Sequence, residues 1–294
     1  MPKSSHPYSM TKPKILIVCG TRPEIIKLSP IIKEFARRKQ PFDIFFTNQH
    51  PLLAITWSVY HQLGLSKIKK PIVLRGKFNP SGCFAQIDAL MPKYAAVVVQ
   101  GDTNSAFLGG LVGRWNRKKV IHVEAGLRSF NPLMIEEENR IMIDVISDLL
   151  FIPITYQLEN VWNCYGEKIV VGNPIADVVA EYRRHIKKLP MKSQYVFMTV
   201  HRSELVDHPE RLKAALVAVG RAVARRYPKA SIILPIHPRT AAMLQKAKLS
   251  ISDLIPQAFV IKPLDMFDTW AYIQNALAVI TDSGGLQEEA AILG

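Results

Sequence analysis

The sequence is short of cysteine, with three in 294 residues: Cys19, Cys83 and Cys164. Their odd number and wide spacing argue against a disulfide framework or a zinc site, and fit reduced thiols. It also lacks a long apolar run. No stretch reaches the length that crosses a bilayer. The opening residues, Met1 to Lys14, are polar and proline-containing, without the apolar centre of a signal peptide. A cytoplasmic protein with no membrane partner and a short flexible arm over residues 1–13 is expected. Acidic residues are scarce beside basic ones, 24 against 38, for a net charge of +14. The cations are scattered, as in Arg37-Arg38-Lys39 and Arg225-Arg226, mostly near expected helix ends where they complement the dipole. No DNA- or RNA-binding motif accompanies them, so a solvated surface is expected and a nucleic-acid partner is not. Repeats, heptads and low-complexity tracts are absent as well.

What the chain does have is a dense polar stretch, His122 to Arg140. Glu124, Glu136, Glu137, Glu138, Arg128, Arg140 and His122 fall within it, next to apolar strand residues. Ionisable groups concentrated at a strand end are costly unless they serve chemistry.

The surrounding pattern is parallel α/β. Residues 14–19 form a continuous apolar strand that runs into Gly20-Thr21-Arg22-Pro23-Glu24 and a helical pattern. That turn puts backbone N–H groups and Arg22 at a helix N-terminus, a natural anion site. A strand over 43–47 ends in Gln49 and His50, with a helix over 51–65. Residues 66–82 read mostly as loop, and 84–91 as a helix. A strand over 94–99 ends in Gly101-Asp102-Thr103, where Asp102 and Thr103 would cap the helix over 106–115. A strand over 118–123 delivers Glu124. The turn Gly172-Asn173-Pro174 marks a boundary, giving a first domain over 14–172 and a second over 173–294.

A fresh α/β series then starts. A strand over 195–200 ends in His201-Arg202, and one over 231–236 ends in His237. A strand over 278–281 ends in Asp282-Ser283-Gly284-Gly285 before a helix. Small residues with free N–H groups at a helix start suit a phosphate, and Glu288 or Glu289, one turn on, would accept from ribose hydroxyls. Polar clusters thus follow strand after strand, at the edge where open α/β sheets bind ligands.

These clusters resemble the non-hydrolysing UDP-N-acetylglucosamine 2-epimerases. The matching stretches are Gly20 to Lys27, Gly101-Asp102-Thr103, His122-Val123-Glu124-Ala125-Gly126-Leu127-Arg128, Glu136-Glu137 with Asn139-Arg140, Thr199 with His201-Arg202 and Glu204, His237-Pro238, and Thr281 to Glu289. The resemblance implies two Rossmann-like domains in a glycosyltransferase-B-like fold, with the nucleotide sugar in the cleft. It also implies C2 epimerisation between UDP-GlcNAc and UDP-ManNAc: UDP leaves across C1–C2 and adds back. Asp102, Glu124 and Glu136 are then the acid/base candidates, and His201 sits near the diphosphate or relays a proton. Arg22, Lys27, His237, Ser283, Gly284, Gly285 and Glu289 would bind substrate. An effector site is implied near Gln49 and His50, and a homodimer is implied too. Proton transfer and elimination are redox-neutral, so no cofactor or metal is expected. Family members continue past Gly294 into a strand, a Thr-Glu-Arg-Pro-Glu segment and a final helix, so the second domain is expected to be incomplete. The alternatives are a hydrolysing epimerase or glycosyltransferase on the same fold, or a non-catalytic remnant.

Overall fold

A computed structural model describes residues 12–49, 53–186 and 193–294, apart from the side chains of 53–56. Most of the expected N-terminal arm lies outside these residues. Its last two members are tied down: Lys12 donates to the Arg38 carbonyl at 2.8 Å, and Gln40 donates to the Pro13 carbonyl at 2.5 Å.

The chain forms two compact units that divide at Val178 and Val179, just beyond the Gly172-Asn173-Pro174 turn. In the first, seven strands run parallel: β1 (Ile15–Cys19), β2 (Phe42–Phe46), β3 (Ile72–Val73), β4 (Ala96–Gln100), β5 (Lys119–Val123), β6 (Leu149–Ile152) and β7 (Glu167–Val170). Their order is β3-β2-β1-β4-β5-β6-β7. The helices are α1 (Arg22–Arg37), α2 (Leu53–Gln62), α3 (Pro80–Asp88), α4 (Asn104–Trp115) and α5 (Ile135–Ile146), and the division between the units falls inside α6 (Pro174–Tyr182). Strands covered on both faces can be apolar throughout, and β4 is buried from end to end. Leu16, Val18, Val97 and Val99 pack with Ala106, Val112 and Ile143 in one core cluster.

The stretch read mostly as loop holds β3 and the start of α3. A two-residue strand has no period to detect. It exists because Ile72 and Val73 pair with Phe45 and Phe46 of β2. Helix α3 starts earlier than its apolar pattern because Asn79 accepts from the Gly82 N–H at 2.7 Å and Pro80 fits the first helical position.

The second unit is built on β8 (Tyr195–Thr199), β9 (Ser231–Pro235), β10 (Ala258–Ile261) and β11 (Val279–Thr281), again parallel, in the order β10-β9-β8-β11. Its helices are α7 (Ser203–Val206), α8 (Pro209–Arg226), α9 (Pro238–Lys246), α10 (Ile251–Leu254), α11 (Met266–Gln274) and α12 (Gly284–Leu293). Leu212, Leu216 and Val223 of α8 pack on Val196 and Met198 of β8 and on Ile232 and Leu234 of β9.

Both sheets share one device. The first strand lies beside the fourth, so their outgoing connections part in opposite directions and leave a crevice at the carboxyl ends. In the first unit that point carries Gly20-Thr21-Arg22 and Gly101-Asp102. In the second it carries His201-Arg202 and Asp282-Ser283-Gly284.

Candidate functional site

At the switch point of the first unit, Glu24 fastens the β1–α1 turn. Its Oε2 accepts from the Gly20 N–H at 3.0 Å, the Thr21 N–H at 2.8 Å and the Thr21 hydroxyl at 2.8 Å. Its Oε1 accepts from Thr103 Oγ1 at 2.8 Å, joining the β1 and β4 turns. Burial pushes this carboxyl up to about 7, against the pull of those donors. Beside it, Gly20 admits no side chain: a Cβ there would stand 2.0 Å from Thr47 Oγ1 and 2.1 Å from Ser105 Oγ. Ser105 donates from its backbone N–H and its hydroxyl to Gln49 Oε1, at 2.9 and 2.7 Å. That is where Gln49 sits; His50 lies outside the described residues. Arg22 is the first, half-buried residue of α1, and its guanidinium forms no ion pair among the described residues.

Glu124 follows β5 and is buried on a left-handed backbone, φ 69°. Lys27 of α1 donates to its Oε1, and Gln100, the last residue of β4, donates to its Oε2. A Cβ on Gly101, the residue before Asp102, would lie 3.9 Å from Glu124 Oε2. Asp102 does not cap α4 as expected. Thr103 does, accepting from the Ala106 N–H at 3.0 Å. The Asp102 carboxylate instead receives Arg140 of α5, and its carbonyl accepts from Asn139 at 2.9 Å. A charged partner one helix away outcompetes the local amide.

Glu136 stands in the first turn of α5, half-buried and without an ion pair among the described residues. Its neighbour Glu137 is structural. Burial raises its pKa, but the Ser129 and Phe130 N–H groups, the Ser129 hydroxyl and Arg140 together hold it below the usual range.

In the second unit, the Asp282 carboxylate accepts from the backbone N–H groups of His201 and Arg202, both at 2.8 Å. Arg202 Nε also donates to the Asp282 carbonyl at 2.9 Å. This folds the β8 end onto the β11 end. The His201 and His237 rings lie 5.3 Å apart. His237 caps α9, its Nδ1 accepting from the Arg239 N–H at 3.2 Å, which leaves Nε2 as the donor. Burial, then His201 and Arg239, hold its pKa below the usual value. Ser283 caps α12, accepting from the Leu286 N–H at 3.4 Å. Around Gly285 there is open space, and Arg202 Nη2 lies 3.7 Å from where a Gly284 Cβ would be. Small residues, a helix N-terminus and a guanidinium in one place can hold a phosphate. Glu289 is buried and accepts from Trp270 Nε1 at 2.8 Å.

Sequence reasoning passed over Arg202, Gln100 and Glu24 as site residues. Arg202 follows a strand beside His201, and the strand-end rule could have found it. Gln100 closes an apolar strand and reads as its end. Glu24 reads only as part of the helix start. Among the described residues, no group of three or more His, Cys, Asp or Glu is arranged to hold a metal ion.

The family model described as UDP-N-acetylglucosamine 2-epimerase matches residues 85–294. The chain belongs to that family. It is 36% identical over 302 residues to the UDP-N-acetylglucosamine 2-epimerase of Methanococcus maripaludis, covering 95% of this chain and 81% of the relative. It is 32% identical over 295 residues to a Pseudomonas aeruginosa UDP-2,3-diacetamido-2,3-dideoxy-D-glucuronate 2-epimerase, covering 96% of this chain and 81% of that one. The crystal structure of the Methanocaldococcus jannaschii UDP-GlcNAc 2-epimerase in complex with UDP-GlcNAc and UDP aligns with a TM-score of 0.81 at 33% identity, covering 96% of this chain and 82% of that chain. This family member is therefore an epimerase of glycosyltransferase-B-like α/β fold. Among the described residues, no helix is long and apolar enough to cross a membrane.

Proposed function

We propose that this chain interconverts UDP-GlcNAc and UDP-ManNAc at C2, by elimination and re-addition of UDP. The observation that carries the reading is Glu124. It is a buried carboxylate on a strained backbone, held by Lys27 and Gln100 near Gly101, in a family whose relatives are named for 2-epimerisation. The C2 proton of the sugar is barely acidic, so a base alone is insufficient and the leaving group needs help. As a base takes the proton from C2, the C1–O bond breaks, giving a glycal and UDP. A diphosphate oxygen then returns to C1 while an acid protonates C2 on the opposite face. Asp102, Glu124 and Glu136 are the acid/base groups in this scheme, with Lys27 orienting Glu124.

Arg202, the Ser283-Gly284-Gly285 turn and the Nε2–H of His237 suit the diphosphate. His201 lies close enough to His237 to act with it, and Arg22 offers a further cation. Glu289, whose Oε2 accepts from Trp270, would reach ribose from the second turn of α12, and Gln49 would serve an effector through the Ser105 turn. Three buried free thiols among the described residues support a reducing, cytoplasmic setting. The proposed homodimer has an apolar surface to form on: Ile141, Met142 and Val145 are exposed on α5. Sedimentation of Val145→Glu as a monomer beside a dimeric parent would support it.

The test is incubation with UDP-GlcNAc in deuterated water, followed by NMR. Deuterium at C2 and a UDP-ManNAc signal are expected, both lost in Asp102→Asn, Glu124→Gln and Glu136→Gln. Free ManNAc would mean hydrolysis instead. The Pseudomonas relative makes UDP-2,3-diacetamido-2,3-dideoxy-D-glucuronate the second sugar to try. Exchange on that sugar alone would replace UDP-GlcNAc in this reading.

A further inference from the structure

Asp144 of α5 has no place in the chemistry above, yet it is a fully buried carboxylate. Its Oδ1 lies 2.8 Å from His122 Nδ1, and its Oδ2 accepts from Arg128 Nη1 at 2.7 Å. Both oxygens lie 3.3 Å from the Gly126 N–H. All three donors belong to β5 or the loop that follows it. His122 is equally buried, and its Nε2 donates to the Gly101 carbonyl at 2.9 Å. Gly101 also donates from its N–H to the Val123 carbonyl at 3.1 Å.

The residue between these anchors is Glu124. Asp144 holds His122, two positions before it, and Gly126, two positions after. Gly126 is itself left-handed at φ 82°, and its carbonyl accepts from Asn160 at 2.8 Å. A non-glycine residue in that region is strained and persists only where its surroundings over-determine it. The Asp144 carboxylate is the common partner of the groups that do so here.

We propose that Asp144 is a positioning residue for the epimerisation. Through His122, Gly126 and Arg128 it locks Glu124 into its left-handed conformation, aims that carboxylate at Lys27 and Gln100, and fixes the turn bearing Asp102. The catalytic consequence rests on the function proposed above; the structural one does not.

Asp144→Ala and Asp144→Asn, made in the full chain, are compared by crystallography and by C2 proton exchange on UDP-GlcNAc. The asparagine can keep the geometry. Its amide donates to His122 Nδ1, its oxygen accepts from Arg128, and His122 Nε2 still donates to Gly101. In Asp144→Ala, Glu124 is expected to leave the left-handed region and lose Lys27. Its kcat is expected to fall about 100-fold, as misplacement by an ångström does, with KM changed less than about threefold. Asp144→Asn is expected to keep Glu124 in place and to restore kcat to within about tenfold of the parent. If the alanine variant does not fold, Asp144→Ser replaces it, since one hydroxyl cannot serve three donors. Glu124 unmoved in the alanine or serine variant overturns the proposal whatever the rate. Glu124 displaced with exchange unchanged overturns its catalytic half. A parent chain with no exchange on either sugar overturns the functional reading, while the crystal structures still decide the role of Asp144.

Discussion

Lys27 and Glu124, 97 residues apart, meet as a buried ion pair, their side chains 10% and 3% exposed. Removing Lys27 takes its ammonium away from a buried carboxylate. Lys27→Met should therefore cost about 3–5 kcal/mol, whereas Lys27→Met with Glu124→Leu should cost much less. Urea unfolding of the two single variants, the double variant and the parent measures this. A cost below about 1 kcal/mol for Lys27→Met would mean that the pair behaves as a solvated one.

Glu24 should make stability fall as the pH rises. In the unfolded chain its carboxyl titrates near 4.5, and in the folded protein at about 7. Between those values the folded state holds the extra proton. The group's contribution is thus full below about pH 4.5 and lost as the pH climbs through about 7, on the order of 3 kcal/mol in all. Unfolding free energies at about pH 5 and about pH 8 should differ less in Glu24→Gln than in the parent. An equal difference in both proteins would remove Glu24 as the cause.

The neutral His237 should resist protonation. Its Nδ1 accepts the Arg239 N–H, and burial, His201 and Arg239 all oppose a charge on the ring. NMR titration should place it below the usual 6.5, and His201→Gln should move it back towards that value. With the folded pKa depressed, this residue's contribution is present above the unfolded value. It is lost as the pH falls and the N-terminus of α9 loses its cap. A midpoint unmoved by His201→Gln would show that the 5.3 Å ring contact carries no coupling.

Gly20→Ala should destabilise the first unit by about 1–3 kcal/mol, the usual penalty for overpacking. The added carbon would meet Thr47 Oγ1 and Ser105 Oγ, which are hydrogen-bonded to each other at 2.5 Å and cannot both withdraw. Calorimetry reads the shift; parent-like stability would mean that the turn yields.

What the sequence made legible was local. An apolar run followed by a polar cluster puts Arg22, Glu124, His201, His237 and Ser283 at strand ends without reference to any other part of the chain. The residues that give those groups their setting come from elsewhere. Lys27 reads as a helix cation that the family resemblance assigns to substrate, and only the placing of β1, β4 and β5 side by side sets it against Glu124. Asp102 reads as a cap because its nearest amides are its own helix's, and Arg140 decides otherwise. Glu289 reads as a ribose acceptor at a helix start, whereas Trp270 of α11 already donates to it. Strand β3 escaped for the same reason, since its existence depends on β2.

Glu136, Arg140 and Asp144 recur at four-residue intervals, so they share one side of α5. A helix shifts as a body. The segment before it, residues 127–134, is largely exposed and carries no regular element. Glu136 rides on this helix, Arg140 pairs with Asp102, and Asp144 holds His122 and Gly126 on either side of Glu124. A displacement of α5 therefore cannot move Glu136 without disturbing the partners of the other two carboxylates, so the helix makes the three a single mechanical unit.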